Sequence, residues 1–160
     1  MTIRKPRELT RDLTRNARVL GLDLGTRTVG LALSDVGHTI ATPFDTIARS
    51  KLAADLARLK SVIETEDVGA LVLGLPVNMD GSEGPRCQAT RQFAADLLKV
   101  MDIPLTFWDE RLSTRAAEIA LLDADVSRKR RAEVIDKVAA AVILQGLLDF
   151  LAASKDSENG

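Results

Sequence analysis

The sequence is poor in the side chains that most protein metal sites and redox centres use. Its 160 residues include one cysteine, Cys87, and one histidine, His38. A single cysteine excludes an intramolecular disulfide framework and a cysteine-based zinc site, and a single histidine argues against a histidine-rich metal or catalytic centre. The carboxylates of aspartate and glutamate are therefore the candidate ligands for any metal.

Long apolar runs are missing as well. No stretch approaches the length of about 18 residues that a membrane span needs, and the N-terminus lacks the apolar core of a secretory signal. We therefore expect a cytoplasmic protein without a membrane partner. With 46% hydrophobic residues, the chain can bury about 68–70% of its unfolded surface, which predicts one compact domain.

Charge is nearly balanced overall but unevenly distributed. The net charge is −1, from 22 basic and 23 acidic side chains, which argues against a general affinity for nucleic acid. Residues 1–18, however, carry six basic against two acidic side chains. We call residues 1–17 the N-terminal extension, and we call Arg128, Lys129, Arg130 and Arg131 the basic cluster. Each segment is either a solvated surface or a set of phosphate contacts.

The hydrophobic pattern alternates between strands and helices. Alternation of this kind predicts a mainly parallel sheet covered on both faces, with the first hairpins supplying an antiparallel part. One face of the first helix carries Leu52, Leu56, Leu59 and Ile63. The predicted strands are 19–23, 29–34, 40–48, 70–74 and 104–108; the predicted helices are 51–66, 86–100, 114–122 and 132–152; and residues 153–160 are predicted to be a disordered tail.

The most informative local feature is Asp23, which interrupts an apolar strand. A buried carboxylate costs several kcal/mol unless it is paired, hydrogen-bonded or bound to a cation. Gly25 and Gly30 flank a polar turn, so the segment is predicted to be a hairpin whose tip can approach a ligand. The phosphate-binding hairpin of actin-like and sugar-kinase ATPases has this pattern, and so does the metal-binding strand of RNase H-like nucleases. The length favours the nuclease, because the ATPases close two such domains around the nucleotide.

Further acidic residues follow the predicted strands or lie on the last helix. Ligands bind beyond the carboxyl ends of parallel strands, which places Glu110 at a candidate site. Its alternative role is a salt bridge to Arg111 or Arg115, while Ser113 or Thr114 can cap the next helix. The connection 75–86 is long for a strand-to-helix loop and is predicted to contact substrate.

The last helix carries Asp136 on an apolar face. The alternative role of Asp136 is a partner for the helix dipole. Its neighbours Ala139 and Ala140 on that face are small, so the helix can approach the sheet closely and direct the carboxylate toward the strand ends.

Four segments together resemble the YqgF family, also called RuvX, whose members are known as pre-16S rRNA nucleases or Holliday junction resolvases. The segments are 21–30 (GLDLGTRTVG), 74–81 (GLPVNMDG), 109–114 (DERLST) and 136–140 (DKVAA). The resemblance covers residues 18–152. It implies an RNase H-like α/β fold, with a mixed five-stranded sheet and helices on both faces, in which Asp23, Glu110 and Asp136 form a catalytic acidic triad that binds divalent metal. Oxygen-only ligation suits Mg²⁺ or Mn²⁺, and a pair of ions is expected.

The function implied by this resemblance is hydrolysis of phosphodiester bonds in structured nucleic acid by a metal-dependent nuclease. The expected substrate is the 5′ end of precursor 16S ribosomal RNA in ribosome biogenesis, with ribosomal particles as further partners and a monomer or homodimer as the active unit. Nucleic-acid contacts are predicted at Arg27, Asn78, Arg111 and the basic cluster. Three alternatives stay open: a Holliday junction resolvase acting on branched DNA, a non-catalytic nucleic-acid-binding assembly factor, and a nucleotide-binding regulator of the ATPase type.

Overall fold

The computed structural model describes residues 3–11, 13–14, 16–112 and 128–159, which form a five-stranded mixed sheet with helices on both faces. The spatial order is β3-β2-β1-β4-β5. β1 pairs antiparallel with β2, and β2 with β3, whereas β1–β4 and β4–β5 are parallel. This is the predicted fold class. The strands are β1 (Arg18–Leu24), β2 (Thr28–Ser34), β3 (Ala41–Ala48), β4 (Val68–Leu75) and β5 (Leu105–Asp109).

Three helices cover the two faces of the sheet. They are α1 (Leu52–Thr65), α2 (Pro85–Val100) and α3 (Arg128–Asn159). Alternate residues of β4 pack into two separate hydrophobic cores, as expected for a strand that is buried on both faces. Leu71 and Leu73 pack in the core with α1 and α2, whereas Val72 packs in the core with α3. No helix in these described ranges is long and apolar enough to cross a membrane.

Helix α3 lies unusually close to the first hairpin because the strands beneath it carry glycine. A Cβ atom at Gly21 would lie 2.9 Å from the backbone oxygen of Ala140, and one at Gly30 would overlap the backbone oxygen of Asp136. The predicted close approach of this helix therefore depends on the strand glycines as well as on its own alanines.

The ends of α3 differ from the prediction. The helix was expected over 132–152, but it begins at Arg128 and continues to Asn159. The backbone of the basic cluster therefore forms the first turn of a helix, and the segment expected to be a disordered tail continues the same helix through Asn159. The predicted helix 114–122, together with Ser113, Thr114 and Arg115, lies outside the described residues.

The N-terminal extension packs against the domain instead of projecting from it. The Arg4 N–H donates a hydrogen bond of 2.7 Å to the Leu105 carbonyl oxygen, beside a bridge between Ile3 and Leu105 on the edge of β5. Leu9 is completely buried in the core formed with α3. Apolar residues within this basic segment thus anchor it to the sheet and to the helix.

The apolar face predicted for α1 is correct except at its start. Leu56 and Leu59 are buried, but Leu52 is 42% exposed. Asp55 is buried instead, because its carboxylate accepts hydrogen bonds from the backbone N–H and the hydroxyl of Ser50. Those bonds satisfy the buried charge and fix the turn into the helix.

Candidate active site

Asp23 and Glu110 meet at the carboxyl edge of the parallel strands. Asp23 lies near the end of β1, opposite Gly30 of β2, and Glu110 directly follows β5 in a 3-10 turn, Glu110–Leu112. β4 lies between these two strands and carries Gly74 at this level. A Cβ atom at Gly74 would lie 2.6 Å from Glu110 Oε1. The absence of a side chain at Gly74 therefore gives the Glu110 side chain room to reach across β4 toward Asp23.

The two carboxyl groups share a hydrogen bond and hold a proton tightly. Burial, followed by the hydrogen bond to Asp23 and the negative charge of Asp23, raises the pKa of Glu110 to about 8. The pKa of Asp23 is also raised, chiefly by burial and further by the charge of Asp136, although the hydrogen bond from Glu110 lowers it. Near neutral pH, Glu110 is therefore the protonated donor to the Asp23 carboxylate.

Asp136 lies beside this pair and is held by a residue that sequence reasoning missed. The hydroxyl of Thr28, the first residue of β2, donates a hydrogen bond to Asp136 Oδ2. The Asp136 charge is close enough to Asp23 to raise the pKa of Asp23. Thr28 stood out in the sequence only as a turn residue, because its contact with Asp136 spans 108 positions and depends on how α3 packs.

Arg86 is a second residue that the sequence analysis did not single out. It lies in the first turn of α2, and its positive charge lowers the pKa values of both Asp23 and Glu110. The available signal was its position at the end of the long 75–86 loop, which opens at the same edge of the sheet. An exposed guanidinium beside two carboxyl groups is suited to bind a phosphate that approaches them.

Arg111 forms an ion pair with Asp109. Its Nη2 atom lies 2.6 Å from Asp109 Oδ2, and its Nη1 atom donates a hydrogen bond of 3.4 Å to the Met79 backbone oxygen. The ion pair of Arg111 that the structure describes is therefore with Asp109, not with Glu110. Asp109 neutralises the arginine, and Glu110 is directed toward Asp23.

The predicted nucleic-acid contacts border the same edge. Arg27 is exposed in the turn between β1 and β2, and Asn78 is exposed in the loop after β4. Asn78 Nδ2 donates a hydrogen bond of 3.1 Å to Ser82 Oγ, so it also stabilises the turn. The backbone of the basic cluster opens α3 about 8–12 Å along the helix from Asp136, at 1.5 Å per residue. The side chains of that cluster lie outside the described residues.

The donors of the site are suited to hard divalent cations, although the arrangement holds two carboxyl groups as a pair and the third apart. Asp23, Glu110 and Asp136 offer only oxygen atoms, the ligand type of Mg²⁺ and Mn²⁺. Among the residues that the structure describes, no group of three or more His, Cys, Asp or Glu side chains is arranged to hold a metal ion. The three-residue metal site stays a prediction.

Comparison with known proteins identifies relatives along most of the chain. Residues 17–150 match the family model RuvX, described as Holliday junction resolvase. A Paramagnetospirillum magneticum protein named "Putative pre-16S rRNA nuclease" is 62% identical over 149 residues, covering 93% of this chain and 96% of the relative. A Roseobacter denitrificans protein of the same name is 60% identical over 145 residues, covering 88% and 89%.

Solved structures share the fold at low sequence identity. Thermus thermophilus RuvC in complex with Holliday junction substrate matches with a TM-score of 0.55 at 15% identity, covering 84% of this chain and 96% of that one. The yeast mitochondrial Holliday junction resolvase Ydc2 matches with a TM-score of 0.57 at 14% identity, covering 96% and 87%. These matches confirm the predicted RNase H-like fold, and the family match confirms the resemblance inferred from the four sequence segments.

Proposed function

Since this chain belongs to the RuvX family, described as Holliday junction resolvase, we propose that it is a metal-dependent nuclease acting on structured nucleic acid. It is a hydrolase of phosphodiester bonds, and its substrate is the 5′ end of precursor 16S ribosomal RNA. The assignment to precursor 16S ribosomal RNA follows the shared name of relatives that are about 60% identical over most of their length, and the 5′ end follows from the family resemblance.

The observation that carries this proposal is the proton-sharing pair of Asp23 and Glu110. Burial, followed by the hydrogen bond to Asp23 and the negative charge of Asp23, makes ionisation of Glu110 costly and raises its pKa to about 8. Two negative charges about 4 Å apart repel by about 4 kcal/mol at an effective dielectric of 20. A divalent cation in place of the proton would remove that repulsion, which gives the pair a role beyond packing.

Asp23, Glu110 and Asp136 are the residues that would hold Mg²⁺ or Mn²⁺, as a pair of ions. When bound, the metal supplies an activated water and stabilises the leaving oxygen. In the hydrolysis, the water oxygen forms a bond to phosphorus, the bond from phosphorus to one ester oxygen breaks, and that oxygen takes up a proton. Thr28 orients Asp136, and Arg86 binds a non-bridging phosphate oxygen. Arg27, Asn78 and the basic cluster bind the nucleic acid on either side of the phosphate that is cleaved.

A second candidate substrate is branched DNA. The family model's description supports it, because that description names the Holliday junction. Both candidates use the same site and the same chemistry. Cleavage of matched substrates, a precursor 16S 5′-end RNA and a four-way DNA junction, separates them by the ratio of their rates.

The test of the active site is cleavage in Mg²⁺ or Mn²⁺ by Asp23→Asn, Glu110→Gln and Asp136→Asn. We expect each change to lower the rate by about 10³-fold or more, because each removes a charge that the metal needs. Glu64→Gln is the matched control, since it removes an exposed carboxylate from α1. If the three variants cut at the wild-type rate, the site is wrong. If the wild type binds substrate and never cuts it, the chain is a non-catalytic assembly factor.

A further inference from the structure

A cavity lies between the N-terminal extension, the loop after β2 and the end of α3. Its volume is about 510 Å³, within the range of about 300–1,000 Å³ that small-molecule sites occupy. Leu13, Ala17 and Leu151 supply apolar wall. The polar lining includes Arg7, Arg11, His38, Thr10, Thr14 and Ser154.

The lining is cationic and rich in hydrogen-bond donors. Arg7 and Arg11 are both exposed there, and no acidic side chain is among the described residues that line the cavity. Among the residues that the structure describes, the ion pair of Arg11 is a long one, 3.9 Å from its Nη1 atom to Glu8 Oε1, between two largely exposed side chains. An ion pair between two such exposed side chains contributes little to stability, so the Arg11 guanidinium can bind an anion instead.

The ring of His38 is held in place by a hydrogen bond to one of its two nitrogens. Its Nε2 atom lies 2.7 Å from the Ala17 carbonyl oxygen, and because a carbonyl can only accept, Nε2 carries the hydrogen. The residue is held in the left-handed region with φ of 55°, a conformation that histidine adopts more readily than most residues. The other ring nitrogen, Nδ1, is the one that can exchange hydrogen bonds with a ligand.

This cavity is remote from Asp23, Glu110 and Asp136. It lies where β1 begins and β2 ends, whereas those acids lie where β1 ends. Along α3, Asp136 and Leu151 are separated by about 23 Å, at 1.5 Å per residue. A ligand bound here cannot reach the candidate active site.

We propose that this cavity is a second binding site, which takes the phosphate group and adjoining sugar of one nucleotide unit. Arg7 and Arg11 hold the phosphate oxygens, the hydroxyl groups of Thr10, Thr14 and Ser154 bond to the sugar and phosphate, and the apolar wall faces the less polar part of the unit. Two sources share this chemistry: a distant segment of the nucleic acid that is being cut, and a free nucleotide. The first source rests on the proposed function, whereas the phosphate site itself does not.

The only histidine in the chain makes a direct assay possible. The ring signals of His38 in an NMR spectrum need no assignment, so the full-length protein can be titrated with inorganic phosphate, AMP and a 12-nucleotide single strand. We expect the His38 signals to move and saturate. The double variant Arg7→Ala/Arg11→Ala should abolish that response, and Arg58→Ala/Lys60→Ala, which removes the same charge from the exposed face of α1, should retain it.

The same titrations distinguish nucleic acid from a free nucleotide as the source of the phosphate. Saturation by the oligonucleotide at a lower concentration than by AMP indicates nucleic acid, and the Arg7→Ala/Arg11→Ala variant should then lose about 1.4 from the slope of log affinity against log salt, at about 0.7 per contact with a single strand. Saturation by AMP without a response to the oligonucleotide indicates a free nucleotide.

Two results would overturn the second site: His38 signals that none of the three ligands moves, or an equal response in the wild type and in Arg7→Ala/Arg11→Ala. The melting temperatures of both double variants establish that they are folded. Failure of the nuclease proposal is recognised separately, because the Asp23→Asn protein should lose cleavage and keep the His38 response.

Discussion

Replacing Glu110 with glutamine is expected to stabilise the metal-free protein at alkaline pH. In the folded protein, burial and the contact with Asp23 raise the pKa of Glu110 from 4.5 to about 8. Folding therefore favours the protonated carboxyl group. This contribution to stability is fully present below about pH 4.5, declines as the unfolded chain ionises, and is lost as the pH rises through about 8. A glutamine keeps the hydrogen-bond donor and does not titrate.

The interval between 4.5 and about 8 sets a ceiling of about 5 kcal/mol on the effect, at 1.36 kcal/mol per pKa unit. Glu110 is partly open to solvent and shares its proton with Asp23, so we expect about half of that, 2–3 kcal/mol. For a domain of this size 1 kcal/mol changes the melting temperature by about 2–4 °C. Glu110→Gln should therefore melt about 4–12 °C above the wild type at pH 8.5 in EDTA.

Circular dichroism melting in EDTA at pH 4.5 and pH 8.5 measures this difference. At pH 4.5 the gap between Glu110→Gln and the wild type should nearly close, and the Glu64→Gln control should follow the wild type at both values. Addition of Mn²⁺ at pH 8.5 should raise the melting temperature of the wild type, because a ligand that binds only the folded state stabilises it. A Glu110→Gln protein that is less stable at pH 8.5, or a gap that is the same at both pH values, would refute the reasoning.

Three further outcomes are expected. Gly30→Ala should lower the free energy of unfolding by about 3 kcal/mol, because the new Cβ would overlap the Asp136 backbone. Gly84→Ala, whose Cβ would have no neighbour nearer than 3.5 Å, should cost far less, and thermal melting compares the two variants. Replacement of all four residues of the basic cluster with alanine should reduce the salt slope of nucleic-acid binding by about 0.7–0.9 for each lost contact, and an unchanged slope would make that cluster a solvated surface. Isothermal titration of the Arg7→Ala/Arg11→Ala variant, which removes the second site, should detect no saturable ATP binding at micromolar concentration, since the sequence lacks a second phosphate-binding hairpin. Tight ATP binding by that variant, with Mn²⁺ affinity indifferent to Asp23→Asn, would instead favour the regulator.

Local patterns predicted the parts of the fold that local physics controls. The hairpin around Asp23 was recognisable because apolar alternation stops at Gly25 and resumes after the turn, and that signal lies within a few residues. The position of Glu110 followed from the rule that parallel strands end at a common edge. In both cases the residues that form the predictive pattern lie within a few positions of the acidic side chain.

Tertiary packing determined what the sequence did not reveal. The N-terminal extension was judged by its charge, yet Leu9 decides where it lies by packing against α3. The bond from Thr28 to Asp136 connects residues that no local pattern relates. Gly74 carried no evident role, because only tertiary packing, of Ile143 from α3 and of Glu110 across β4, explains why a side chain is excluded there.

The contact between the first hairpin and α3 also has a consequence for the timing of synthesis. Thr28 and Asp136 are 108 positions apart, and closure of so long a loop is slow compared with formation of the hairpin itself. A ribosome releases the chain from the N-terminus, so the hairpin with Asp23 emerges long before the helix that supplies Asp136. A nascent chain that ends before α3 exposes the glycine face of the hairpin and lacks one of the three acids. The candidate nuclease site is therefore completed only near the end of translation, after the rest of the sheet is available to receive the helix.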